Sequence, residues 1–149
     1  MAIGTTISYA IHLLFAGVWT GSVVFVTYAV LPVGRAGDID TDPFADITSR
    51  LLILSRASAL VLLLTGGHLA GTLYTVESLT GTTRGYLVIA MVVLWLALAA
   101  LVEIGTSRIS DGLRERKVRT PAEKGWPFFL AGSVVSLLLL VNAGLLLGL

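Results

Sequence analysis

Two histidines carry most of the chemistry this chain has to offer. His12 and His68 are its only imidazoles, and both lie inside long apolar stretches. An ionisable side chain in hydrocarbon is expensive, so such a residue is a functional-site hypothesis by default. His12 stands about seven residues into the first apolar segment and His68 about six before the second one ends. Antiparallel helices therefore bring both to one level, roughly 10 Å below one surface at ~1.5 Å per residue. Met91 in the third segment and Asn142 in the fourth fall in the same layer. Imidazole suits haem iron, copper or zinc. Tyr9, Phe15, Trp19 and Tyr74 are available to line a haem slot, with Trp19 on the His12 face at i+7. Arg84 is the cation placed to hold a propionate. Spacing argues against one haem shared by both histidines. Adjacent helices pack at roughly 8–10 Å, so they must splay, stand diagonally, or let each histidine serve a different haem. A membrane histidine also serves in many proteins only to hydrogen-bond a neighbouring helix.

Other chemistries find little support. There is no cysteine, hence no disulfide, thiolate metal site or thiol redox couple. Met1 and Met91 are the only methionines, few soft ligands for a copper transporter. Asp38, Asp40 and Asp42 alternate as in a calcium loop, but the glycine and distal glutamate of that motif are missing, and a solvated loop that caps the next helix is the better reading. Arg56 and Glu103 fall at similar depth on antiparallel neighbours and read as a structural ion pair. No nucleophile–base arrangement, phosphate-binding glycine loop or paired carboxylate site is present, so no catalytic residues are assigned and hydrolytic chemistry has no support.

The elements that position these residues follow from composition. Of 149 residues, 56% are hydrophobic and only 13% charged, with a mean hydropathy of +0.92. Soluble domains average about 25% charged residues, so the solvent of this single domain is lipid. Residues 1–34, 57–76, 85–102 and 125–149 contain no Asp, Glu, Lys or Arg. A helix needs about 20 apolar residues to cross a bilayer, which gives four spans, at about 5–31, 51–74, 85–104 and 126–148. The expected fold is an all-α, integral membrane four-helix bundle. The first apolar stretch lacks a basic leader and is too long for a signal peptide, so it reads as a retained helix. Pro32 and Gly34 should stop it, with polar loops over 35–49 and 106–124 and a short link over 75–84. Pro127 is expected in the first turn of the last helix, where its missing N–H is harmless. Gly17-x-x-x-Gly21 and Gly67-x-x-x-Gly71 predict close packing of the first two helices, without specifying a dimer. Nine of the ten basic residues lie on one side and only Arg84 on the other, so the positive-inside bias places both termini outside. The net charge of +1 leaves no nucleic-acid footprint. The bilayer is the expected partner, in a multi-pass protein of the cell membrane; a homo-oligomer or a larger membrane complex stays open.

His12-Leu-Leu-Phe-Ala-Gly-Val-Trp19-Thr-Gly21, followed by an apolar run to Leu31-Pro32, resembles the first helix of CopD-like (copper resistance protein D) membrane proteins. Ser55-Arg56 with the later Leu64-Thr65-Gly66 is similar to the next helix of that family. The resemblance covers about the first half of the chain; the last two helices match in hydropathy alone. It implies copper handling. Four-helix relatives, HemJ-type protoporphyrinogen oxidases and b-type cytochromes among them, use transmembrane histidines for haem. The leading expectation is a small b-type haem protein with His12 and His68 as ligands, lined by Tyr9, Trp19 and Tyr74 and held at Arg84, serving electron transfer or haem handling. The alternatives are copper bound by His12, His68 and Met91, or a metal-free structural subunit or small transporter whose histidines only bridge helices.

Overall fold

The computed structural model describes residues 3–148, and among them every regular element is helical. Four helices are long and apolar enough to cross a bilayer: α1 (Ile3–Ala36), α2 (Thr41–Leu73), α4 (Thr83–Leu113) and α5 (Arg119–Gly148). The shortest has 30 residues, about 45 Å at 1.5 Å per residue, against a hydrocarbon thickness of about 30 Å. A short helix, α3 (Val76–Gly81), links α2 to α4 at one end of the bundle. The long helices form a ring in which α1 packs on α2 and α5, and α4 on α2 and α5.

The helices run further than hydropathy suggested, because hydropathy marks where lipid ends and a helix can continue past it. Pro32 does not stop α1. A widened π-type turn over Val26–Val30 precedes it, with the Leu31 N–H bonded to the Val26 carbonyl, and Pro32 then sits at the start of a fresh turn. Gly34 stays helical and buried, under the Phe44 ring. The helix ends at Gly37, whose φ of 80° lets the chain turn sharply; the Gly37 and Asp38 N–H groups close on the Gly34 and Val33 carbonyls. The expected 35–49 loop thus shrinks to a few residues, and Asp42 and Asp46 lie on α2. The expected 106–124 loop shrinks likewise, since Thr106, Ile109 and Leu113 continue α4 as buried positions. α5 starts at Arg119, with Pro121 in its first turn, so Pro127 falls two turns inside the helix and not in its opening turn. The 75–84 link is ordered by side-chain caps: Thr75 and Ser78 form a reciprocal capping box, and the Thr82 hydroxyl accepts the Gly85 N–H.

Packing is tightest at the end away from α3. There Leu31, Phe44, Ile109, Ala122 and Phe129 are fully buried, and a second cluster of Trp19, Val23, Leu62, Leu98 and Val102 fills the middle. Lipid tails are as apolar as these side chains, so close dispersion contact and hydrogen bonds hold the helices together. At Gly105 and Gly125 the α4 and α5 backbones approach so closely that a Cβ would lie 2.9 Å from the Phe129 ring or 2.7 Å from Ile109. The hydroxyls of Thr27 and Ser133 are 2.8 Å apart between α1 and α5, and Asn142 Nδ2 donates to the Leu87 carbonyl at 2.9 Å, joining α5 to α4. Gly17, Gly21, Gly67 and Gly71 take no part: nothing lies within 4 Å of where their Cβ atoms would stand. The buried stripe of α1 passes through Thr5, Trp19 and Val23, which turns Gly17 and Gly21 away from α2.

Candidate functional site

Above the middle cluster, toward α3, the packing opens into three connected spaces. The outermost holds about 620 Å³ and is lined by Tyr9, Leu13, Tyr74, Arg84 and Leu147, among others. A neck of about 90 Å³ shares Tyr9 and Tyr74 with it and adds His12, Gly66 and Met91. An inner chamber of about 190 Å³ shares His12 and Met91 with the neck and ends against Trp19, Trp95 and Leu98. The result is a funnel with one cation and two phenols at its mouth, an imidazole and a thioether at its neck, and an apolar floor.

His12 is the best-determined polar group of the funnel. Its Nδ1 lies 2.8 Å from Thr65 Oγ1, and Thr65 Oγ1 lies 2.7 Å from the Val61 carbonyl. A carbonyl only accepts, so the threonine proton goes to Val61 and the hydroxyl oxygen accepts the Nδ1 proton of His12. Nδ1 therefore carries a proton; in the neutral ring this is the Nδ1–H tautomer, whose lone pair is on Nε2. A hydrogen-bond acceptor on the nitrogen away from the metal is the arrangement that orients metal-binding histidines and raises their basicity. Gly66 permits the close fit, since a Cβ there would lie 3.1 Å from the imidazole Cε1.

The other candidates divide. Met91, Tyr9, Tyr74 and Arg84 all line the funnel with His12. Trp19 borders the inner chamber, with its indole N–H given to Ser55 Oγ at 2.8 Å. Phe15 packs against the middle cluster and lines no part of the funnel. His68 is exposed on the bundle surface, lines none of the three spaces, and its side chain makes no hydrogen bond among the described residues. The structure does not bring the two histidines into one site. His12 meets α2 at Thr65 and Gly66, whereas His68, two positions beyond Gly66, stands about 200° further round that helix at about 100° per residue. Asn142 is taken up by its bond to Leu87. Arg56 and Glu103 pair through two hydrogen bonds, Nε to Oε2 at 3.2 Å and Nη2 to Oε1, in the half of the bundle away from the funnel. Sequence reasoning missed the role of Thr65 and the place of Trp95, whose Nε1 donates to the Ala59 carbonyl at 3.1 Å beside the chamber. Thr65 had a readable signal, a hydroxyl at the level of His12; Trp95 had none beyond its size.

Among the described residues no group of three or more His, Asp or Glu side chains gathers to hold a metal ion. A metal at this site would take His12 and Met91, or would arrive within a macrocycle. Comparison with family models, curated proteins and solved structures finds no match to the chain. Fold and site together define a four-helix candidate multi-pass membrane protein with an imidazole-bearing funnel.

Proposed function

We propose that this is a small haem-binding protein of the cell membrane, with both termini outside, in which His12 is the axial ligand and the funnel receives the macrocycle for electron transfer or haem handling. The observation that carries this reading is the His12–Thr65–Val61 relay, which orients the imidazole through Nδ1 and leaves Nε2 as the nitrogen available to iron, in a funnel whose mouth bears Arg84. The donor set suits haem b: a neutral imidazole for iron, Met91 as a soft second donor, and Arg84 with the Tyr9 and Tyr74 hydroxyls for propionates. The mouth, at about 620 Å³, falls within the roughly 300–1,000 Å³ of small-molecule pockets, and His12 and Met91 line the smaller neck beneath it, so the macrocycle would have to widen that neck to reach them. Haem would supply the redox chemistry. The chain's own part is to orient the imidazole through Thr65, to bind the carboxylates at Arg84 and to keep water out with the apolar floor. His68, outside the funnel, is not assigned to the same iron. The resemblance of the first two helices to CopD-like proteins supports a metal-linked role. The orientation rests on the arginine-rich end lying in the cytoplasm.

One observation favours a second reading. The neck that joins His12 to Met91 is narrow, about 90 Å³, and an imidazole with a thioether suits a bare Cu(I) ion. The absorption spectrum and metal content of the purified protein separate the two. A Soret band with stoichiometric iron, lost in His12→Ala and kept in His68→Ala, is the expected result. Stoichiometric copper without a Soret band supports the copper reading, and neither metal leaves the funnel without a metal role.

A further inference from the structure

The Arg56–Glu103 pair lies just inside the edge of the apolar span. From Arg50 to Tyr74 on α2, and from Arg84 to Arg108 on α4, there are 24 residue steps, about 36 Å at 1.5 Å per residue. A 30 Å hydrocarbon layer centred between these limits reaches past Arg56 by about 6 Å and past Glu103 by about 4.5 Å. Charged side chains at such depth almost always face a bundle interior or water. Here they face outward, with 64% of the arginine and 48% of the glutamate side chain exposed.

The rest of that face is built for close approach. Arg56, Leu60, Leu63, Gly67 and Gly71 follow spacings of four, three, four and four residues, which place them on one stripe of α2. All five are exposed, and nothing lies within 4 Å of a Cβ at either glycine. The matching stripe of α4, Val92, Leu96, Ala100 and Glu103, is also exposed. Leu63, Gly67 and Val92 also line the inner chamber, so the chamber reaches the bundle surface along this face.

We propose that the α2–α4 face is the interface with a second copy of this chain, related by a two-fold axis along the membrane normal. The charges select this occupant. A two-fold axis sets the second copy's Arg56–Glu103 pair at the same depth, so each guanidinium meets the other copy's carboxylate and the four charges sum to zero. The glycine stripe lets each α2 backbone approach α4 of the second copy, with Gly67 level with Val92, and the second copy closes the side opening of the chamber. This holds whether or not the funnel binds haem.

The native chain has no cysteine, so single-cysteine variants report cleanly. Leu60→Cys mixed with Ala100→Cys, and Gly67→Cys mixed with Val92→Cys, probe the face, and Val134→Cys mixed with Leu137→Cys on the exposed side of α5 is the control. Oxidative cross-linking in phospholipid vesicles at high lipid-to-protein ratio should give at least about tenfold more dimer from the two face mixtures than from the control mixture. Adding Gly67→Leu to Leu60→Cys, which has room in its own chain, should cut its cross-linking to Ala100→Cys by about tenfold. Cross-linking no greater in the face mixtures than in the control, or unchanged by Gly67→Leu, overturns the proposal; in that case lipid covers the face and the ion pair is solvated by headgroups.

Discussion

Thr65→Val is the sharpest test of the funnel. Valine has nearly the shape of threonine but cannot accept the Nδ1 proton of His12, which lies 2.8 Å from the hydroxyl. Interhelical hydrogen bonds in membranes average about 0.6 kcal/mol and reach about 1.7, which corresponds to roughly 3-fold to 20-fold in an equilibrium constant. Outer partners of metal-binding histidines cost about 10–100-fold in metal affinity when removed. The two ranges overlap near tenfold. Haem titration of the apo-protein in nanodiscs, followed at the Soret band, should therefore show an affinity about tenfold weaker in Thr65→Val, and Thr65→Ser should restore it. The reduction potential should also rise, because an imidazole without its N–H partner donates less electron density to iron. Thermal unfolding should change by only about 0.6 kcal/mol. An affinity within about twofold of wild type, with an unshifted potential, would refute the relay as the device that prepares His12.

Other outcomes follow from the same geometry. Arg84→Ala should weaken haem binding while leaving the ligation-sensitive bands in place, as read by absorption and magnetic circular dichroism, since Arg84 lines the mouth and not the neck. Gly105→Leu, forced against Phe129, should destabilise the bundle by about 1–3 kcal/mol or more in reversible unfolding from detergent, whereas Gly17→Leu, with open space around it, should be nearly silent. A cysteine introduced at Arg116 should react with an impermeant maleimide only after the cells are opened, and labelling from outside would overturn the proposed orientation.

The membrane class and the four long helices were legible because lipid imposes a simple rule: charges leave the span. Arg56 and Glu103 were legible as a pair because equal depth on antiparallel helices needs no side-chain detail. Helix ends were not legible. Past the bilayer, a helix is decided by local caps and by packing such as Ile109 and Ala122 make, and these leave no hydropathy signal. The glycine motifs misled for a related reason: their spacing specifies a face and not its direction, and Gly67 and Gly71 turn away from α1. The same limit applied to the histidines. Depth follows from counting residues, so the common level of His12 and His68 could be computed. Azimuth depends on which face of α2 meets α1, and that is fixed by contacts such as Trp19 with Ser55.

The uneven packing of the bundle has a mechanical consequence. Phe44, Phe129, Ile109 and Leu31 clamp all four long helices at one end, while the other end is held by few buried side chains and a hollow. Local opening is easiest where buried contacts are fewest. The molecule is therefore sprung like tweezers, with its fulcrum at the aromatic end and its jaws beside α3. Spreading the jaws by a small angle would break few buried contacts. His12 sits partway between jaw and fulcrum, where that motion is small, so its imidazole can stay fixed while the mouth above it widens.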